Sequence, residues 1–344
     1  MSADSLQPTR RGWSSIVRQA LAAEGARIWY ALVALIVVTA IVAPHALRHS
    51  AILTMLPVAA ILAVASLGQS LTIQQGGIDF TVPGVITMAA VLVTGESNSQ
   101  DAHLAKAIVV ALVVSAVIGL ASGVAVALLK ITPIIATLAV NALALGAVSS
   151  YASSAPKQSP PKLTSFAIDR TLGVPNTIYI ALAVLVIAVV VQTRMTVGRR
   201  FVAIGDNPLT ARAMGLPVTR YVIGTYVAAS LLYGTAGIML AGYVVAPSLS
   251  LGNSYLLSTI TAVVIGGTAF GGGRARLVGA AVAALFLTQL NSLLNAISAP
   301  PSISLILQAI AIAIAVGVGP VVDRLRHRRR LHELAVGPTM AEAA

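Results

Sequence analysis

The sequence predicts an all-α fold: a polytopic transmembrane helical bundle of about ten spans with both termini cytoplasmic. Three observations predict it. Hydrophobic residues make up 57% of the 344 positions and charged residues only 9%, against roughly 25% charge in soluble domains. The apolar residues come in runs of the length a bilayer requires, about 20 at a time. The basic residues gather between those runs, in short loops and tails.

In chain order the spans fall near 28–44, 51–73, 78–95, 106–129, 131–152, 176–194, 221–246, 255–270, 277–297 and 303–321. Gly and Pro punctuate several of the junctions, so the boundaries are soft. Alternating sides from a cytoplasmic N-terminus leaves only Arg48, Lys106, Lys157, Lys162 and Arg170 outside, and the rest of the 22 basic residues inside. The reverse orientation would invert that bias. The net charge of +12 is explained by this topology and asks for no nucleic-acid partner. The absence of cysteine excludes disulfides, thiolate metal sites and cysteine nucleophiles.

The chain divides into a segment 1–27, a membrane domain 28–322 and a basic tail 323–344. In the first, Trp13, Ile16, Val17, Ala20 and Leu21 recur at helical spacing with Arg18, Glu24 and Arg27 among them. That pattern fits an amphipathic helix on the cytoplasmic surface, or alternatively a tail without fixed structure. The terminal RLRHRRR from Arg324 reads as a topological anchor for acidic headgroups.

Two loops stand out. The outside segment 153–175 carries Pro156, Pro160, Pro161 and Pro175 and reads as an extended external loop that could meet a partner. The inside segment 195–220 contains Asn207, a good N-cap, then Pro208 at the first helical position, with Gly215 and Pro217 ending the run. A short helix is expected at about 208–214, outside the bilayer; the bland alternative is a simple connector.

No catalytic constellation can be assembled. The Gly-rich stretch GGTAFGGGRARLVG at 266–279 lacks the Lys-Ser/Thr ending of a phosphate loop, so ATP hydrolysis by this chain is not expected. There is no HExxH, and the five histidines lie in loops or tails. The exception to the lack of intramembrane charge is Asp79, in QQGGIDFTVPG at 74–84. A buried ionisable group is a functional hypothesis by default. Three roles are open to it: capping the helix that Pro83 begins after the Gly76–Gly77 break, a part in the pathway or gate, or proton coupling. The other polar groups at membrane depth are Gln69, Thr72, Gln74, Gln75, Asn141, Gln289, Asn291, Asn295 and Gln308. Such groups bond sugar hydroxyls or neighbouring helices. As a neutral set they argue against a charged solute held by a counter-ion. From these, Gln75, Gly76, Gly77, Asp79, Asn141 and Asn291 are candidates for the pathway or gate. Gly266, Gly267, Gly271 and Gly272 mark a second helix break.

Four blocks occur in order: GGIDFTVPGVITMAA, LLKITPIIATLAVNALALG, TVGRRFVAIGDNPLTARAMGLPVTRY and ITAVVIGGTAFGGGRARLVGA. Together they resemble the permease subunits of bacterial ribose/xylose/arabinose/galactoside-type ABC importers, over roughly residues 50–322. The resemblance implies an inner-membrane transport subunit, not an enzyme. Two permease protomers, here a homodimer, would form the pathway. ATP would be bound and hydrolysed by a separate cytoplasmic ATPase subunit, and the permease would carry no cofactor or metal. A periplasmic solute-binding protein would deliver a monosaccharide-like solute. The cytoplasmic helix that couples to the ATPase in such permeases matches Gly205, Asp206, Asn207, Ala211, Arg212 and Gly215. The chain departs from the family pattern at Phe80–Pro83, at Leu256–Leu257 and at Ile131–Ile134. Related permeases carry nucleosides or branched-chain amino acids, and an ion-coupled secondary transporter is the remaining alternative. The GGID block leans toward the sugar branch.

Overall fold

Each long apolar run folds as a helix, because a segment in lipid must satisfy its peptide groups internally. The computed structural model describes residues 27–152, 157–268, 271–273 and 275–313. The amphipathic segment expected before residue 27 and the basic tail lie outside them. The helices are α1 (Arg27–Val42), α2 (His49–Gln74), α3 (Val82–Ser97), α4 (Leu104–Ala127) and α5 (Pro133–Tyr151). They continue as α6 (Pro161–Ile168), α7 (Asn176–Arg194), α8 (Thr196–Asp206), α9 (Pro208–Ala213) and α10 (Val218–Val244). The last are α11 (Asn253–Ile265), α12 (Leu277–Ala296) and α13 (Pro301–Ala313).

Six of these are long and apolar enough to cross a bilayer: α2, the stretch Asp101–Ala127 that includes α4, α5, α7, α10 and α12. The apolar helices α3 and α11 are shorter, while α1 and α13 are apolar and run to the limits of the described residues. Each of the ten expected membrane segments contains an apolar helix among the described residues, the last described only to Ala313, but they are not equal. The 16 residues of α3 and the 13 of α11 reach only about 24 and 20 Å at 1.5 Å per residue, short of a ~30 Å hydrocarbon core. The expected span 255–270 ends at Ile265 because Gly266 and Gly267 follow.

At the centre, α10 packs on α4, α2 and α3, while α12 packs on α2, α11 and α1. Small residues let the backbones approach, as membrane helices without a solvent-driven core require. A Cβ on Gly237 of α10 would collide with the Ile86 carbonyl of α3, and one on Gly119 of α4 with Tyr226 and Ser230 of α10. By contrast α7 buries only Thr177 among its residues and presents Leu182 and Ile187 outward.

The two loops singled out by the sequence lie at opposite ends of α7. From residue 157 on, segment 153–175 is more ordered than the extended loop expected. It contains α6 and a two-stranded ribbon in which Arg170 pairs with Pro175. Pro161 at the first turn starts α6, and Leu163 and Ala167 bury its inner face. Segment 195–220 holds two helices rather than one, since α8 precedes the expected short helix.

Candidate functional site

The candidate site is the break between α2 and α3. Helix α2 stops at Gln74, and Gly76 adopts φ +78°. The Gly77 N–H then bonds the Thr72 carbonyl at 3.0 Å and the Gly76 N–H bonds Ile73 at 2.9 Å, the paired bonds of a glycine-terminated helix. From Gly77 the chain doubles back beside α2. A Cβ on Gly77 would sit 2.6 Å from the Tyr226 hydroxyl and 3.2 Å from Pro133, so bare backbone is what fits between α10 and α5.

Each exposed peptide group at this depth needs a partner, and side chains supply them. The Gln69 amide donates to the Asp79 carbonyl at 3.1 Å and to the Tyr233 hydroxyl at 3.0 Å, and accepts from the Asp79 N–H at 3.3 Å. The Phe80 N–H donates to Thr137 Oγ1 at 3.0 Å, and that hydroxyl donates to the Pro133 carbonyl at 2.7 Å. In the first turn of α3, the Gly84 N–H donates to Asn141 Oδ1 at 2.8 Å. Asn141 and Thr137 lie one turn apart on α5, so α5 holds the start of α3 by two side chains.

Asp79 does not cap α3. The N-cap position belongs to Thr81, and Asp79 Oδ1 instead accepts from the Thr81 N–H at 2.9 Å and the Thr81 hydroxyl at 2.6 Å. Its side chain is fully buried and Oδ2 has no hydrogen-bond partner. Pro83 does lie in the first turn of α3, as expected.

The end of α2 is joined to the α8–α9 segment. The Gln75 amide donates to the Phe201 carbonyl at 2.9 Å. The Gln192 amide of α7 donates to Gln74 Oε1 at 2.9 Å. The Gln74 carbonyl accepts from the Gly273 N–H at 3.1 Å. Gly205 lies flat on that carbonyl: a Cβ would collide with the Gln74 oxygen. Gly272 packs on the Gly205 carbonyl in turn. Three chain segments therefore meet at one peptide group.

Around it, α8 and α9 form a stiff unit. Ile204, Ala211 and Val218 are buried together, flanked by Leu216, Tyr221 and Val222. Asp206 ends α8, and Asn207 caps α9 by accepting from the Thr210 N–H at 3.0 Å. Arg212 is exposed, and Gly215 takes φ +79° just after α9. Leu209 and Met214 are 78% and 74% exposed.

The second break lies between α11 and α12. Gly266 follows α11, Gly267 and Gly272 take φ +92° and +85°, and Gly271 has open space around its Cα. Helix α11 starts against α3. The Gly252 N–H donates to Thr87 Oγ1 of α3 at 3.0 Å, so two short helices begin side by side. Asn291 belongs elsewhere: it accepts from Ser304, which accepts from Gln308 at 3.2 Å, while Ser258 donates to Gln308 at 3.3 Å. That chain ties α12, α13 and α11 together. Gln75, Gly76, Gly77, Asp79 and Asn141 share one neighbourhood, and Asn291 is not in it.

Sequence reasoning missed three participants. Thr137 was one threonine among many in an apolar run. Helix α8 was readable from Val197, Phe201 and Ile204 at helical spacing, masked by the strong cap signal at Asn207. The meeting of Gly205, Gly273 and Gln74 left no local signal, because those residues are far apart in the chain. No group of three His, Asp or Glu among the described residues is placed to hold a metal ion.

Comparison with known proteins identifies relatives of the chain. Residues 51–316 match the family model described as branched-chain amino acid transport system / permease component. The chain is 30% identical to the probable ABC transporter permease protein y4mJ of Sinorhizobium fredii over 94% of both chains. It is 32% identical to the ribose import permease protein RbsC of Bacillus subtilis, over 82% of this chain and 88% of that one. It is 29% identical to the autoinducer 2 import system permease protein LsrD of Photorhabdus laumondii, over 78% and 82% respectively. No solved structure matches it.

Proposed function

Since the chain belongs to the branched-chain amino acid transport system / permease component family, and is an inner-membrane transport subunit of an ABC importer rather than an enzyme, we propose that it imports a monosaccharide-like solute. In this reading a periplasmic binding protein delivers the solute, a separate ABC ATPase subunit supplies the energy, and two copies of the permease form the pathway. Both termini and the α8–α9 unit face the cytoplasm, the side on which the basic residues concentrate.

The observation that carries the reading is the shared contact at the Gln74 carbonyl. A helix end packed on a backbone atom cannot move without moving it. The exposed face of α9, with Leu209, Arg212 and Met214, offers the ATPase two apolar anchors and a cation. A push on α9 passes through the Ile204–Ala211–Val218 cluster to Gly205, then to Gln74 and the break that begins α3. Rigid-body movement of packed elements is a standard means of switching, and the ATPase must bind one state better than the other to drive it.

The solute class rests on chemistry. Asp79 apart, the polar side chains at the break are neutral, and of these Gln75 and Asn141 are only half-buried. Their amides suit a polyhydroxylated neutral solute. An amino acid carries two charges, and Asp79, the acid at this break, is sealed from any solute by burial and by Thr81. The same enclosure disfavours Asp79 as a proton-coupling group. Two relatives bear the names ribose import and autoinducer 2 import, and ribose is the first solute to try.

The test is reconstitution of the permease with its ATPase and binding protein in proteoliposomes. ATP-dependent uptake of a monosaccharide, absent without the ATPase, is the expected result. Uptake by the permease alone under a proton or sodium gradient would overturn the ABC reading. Uptake of branched-chain amino acids in preference to sugars would overturn the solute class alone.

A further inference from the structure

A cavity of about 520 Å³ opens between the last turns of α7, helix α8 and the first turns of α10. Its size falls within the roughly 300–1,000 Å³ typical of ligand sites. The walls are apolar: Leu71, Ala188, Val191, Val197, Phe201 and Ala228 among them. Arg200 and Arg220 also line it. Both are exposed, and neither takes part in the salt bridge between Lys106 and Glu96. No acidic residue among the described residues lines the cavity.

From Arg220 to Ala228 the cavity follows α10 for about 12 Å at 1.5 Å per residue. One wall is α7, which buries only Thr177 among its residues, so the cavity lies at an apolar outer face of the bundle. An apolar slot reaching into the membrane from two exposed guanidinium groups matches an amphiphile with an anionic head and a hydrocarbon tail. Basic pockets between membrane helices take such headgroups, and guanidinium binds phosphate oxygens in bidentate fashion.

We propose that this cavity is a binding site for an anionic phospholipid, with the phosphate headgroup on Arg200 and Arg220 and an acyl chain along α10. The lipid braces α8 against α7 and α10, next to the Gln75–Phe201 hydrogen bond. The proposal concerns the permease alone and stands whatever solute is carried.

Gly224 provides a means to test the chain and the headgroup separately. A Cβ there meets nothing within 4 Å, and the residue lines the cavity. Gly224→Leu fills the slot while leaving both arginines in place. The experiment is native mass spectrometry of the full-length permease purified from membranes containing phosphatidylglycerol and phosphatidylethanolamine. Wild-type protein is expected to retain phosphatidylglycerol selectively. The R200A/R220A double variant should lower that retention by about tenfold or more, the order expected for two basic side chains at a membrane surface. Gly224→Leu should lower it as well. Thermal unfolding in detergent checks that each variant is folded, and Gly224→Ala serves as a milder filling variant. Unchanged retention in folded R200A/R220A and Gly224→Leu protein would overturn the proposal. So would retention that appears only after residues 2–26 are removed, since the chain's own N-terminal segment would then be the occupant.

Discussion

Thr137 carries two hydrogen bonds at a place where neither can be lost to water. Its hydroxyl accepts from the Phe80 N–H and donates to the Pro133 carbonyl. Replacing it with Val keeps the shape and strands the Phe80 N–H. A buried donor left without a partner costs about 1–3 kcal/mol. Thr137→Val is therefore expected to lower the thermal unfolding midpoint in detergent, while Thr137→Ser stays near wild type. An unchanged midpoint for the Val variant would mean that the peptide group finds another partner. Asp79 is read similarly, as a residue that holds Thr81 and not as one that meets a solute. The sequence marked Asp79, because an acid in an apolar stretch is conspicuous. It could not mark Gln69 or Thr137, whose roles depend on a chain that folds back on itself.

At the scale of elements, the α8–α9 unit depends on a cap. Asn207 satisfies the Thr210 N–H, and α9 is only 6 residues long. Loss of such a cap costs about 0.5–2 kcal/mol, a large share of what a helix this short possesses. Asn207→Ala should speed amide hydrogen exchange across 208–213, with Asn207→Ser restoring protection. Unaltered exchange would assign the stability of α9 to the Ala211 contact with Ile204 and Val218 instead. The short helix itself was legible, through Asn207, Pro208 and Gly215, because caps are local chemistry. The helical content of 153–175 was not, since Pro-rich and Ser-rich sequence suits an extended loop as well as a helix that starts at Pro161. The shortness of α3 and α11 was hidden for a different reason. Hydropathy reads apolar residues whether they face lipid or line a buried break, so a half-length helix and its extended approach look like one span.

At the scale of the molecule, hydropathy located nearly every membrane helix, because lipid imposes one rule on all of them. Orientation rests on the basic residues and is open to direct measurement. The chain has no cysteine, so single introduced thiols report without background. Leu172→Cys, at a position 92% exposed, and Met214→Cys, at one 74% exposed, sit at opposite ends of the bundle. In intact cells an impermeant thiol reagent should label position 172, and should label position 214 only after permeabilisation. Labelling in the opposite order would reverse the topology and remove the α9 face from the ATPase.

The most direct measurement of the coupling route is the number of solute molecules imported per ATP hydrolysed in Gly205→Ala proteoliposomes. The added methyl group cannot share space with the Gln74 carbonyl, so the tip of α8 must lift from the end of α2. ATP hydrolysis should continue at equal permease levels while solute imported per ATP falls by about tenfold, the effect of some 1.4 kcal/mol of lost coupling. A wild-type ratio in the folded, inserted variant would show that the ATPase stroke reaches the membrane by another path.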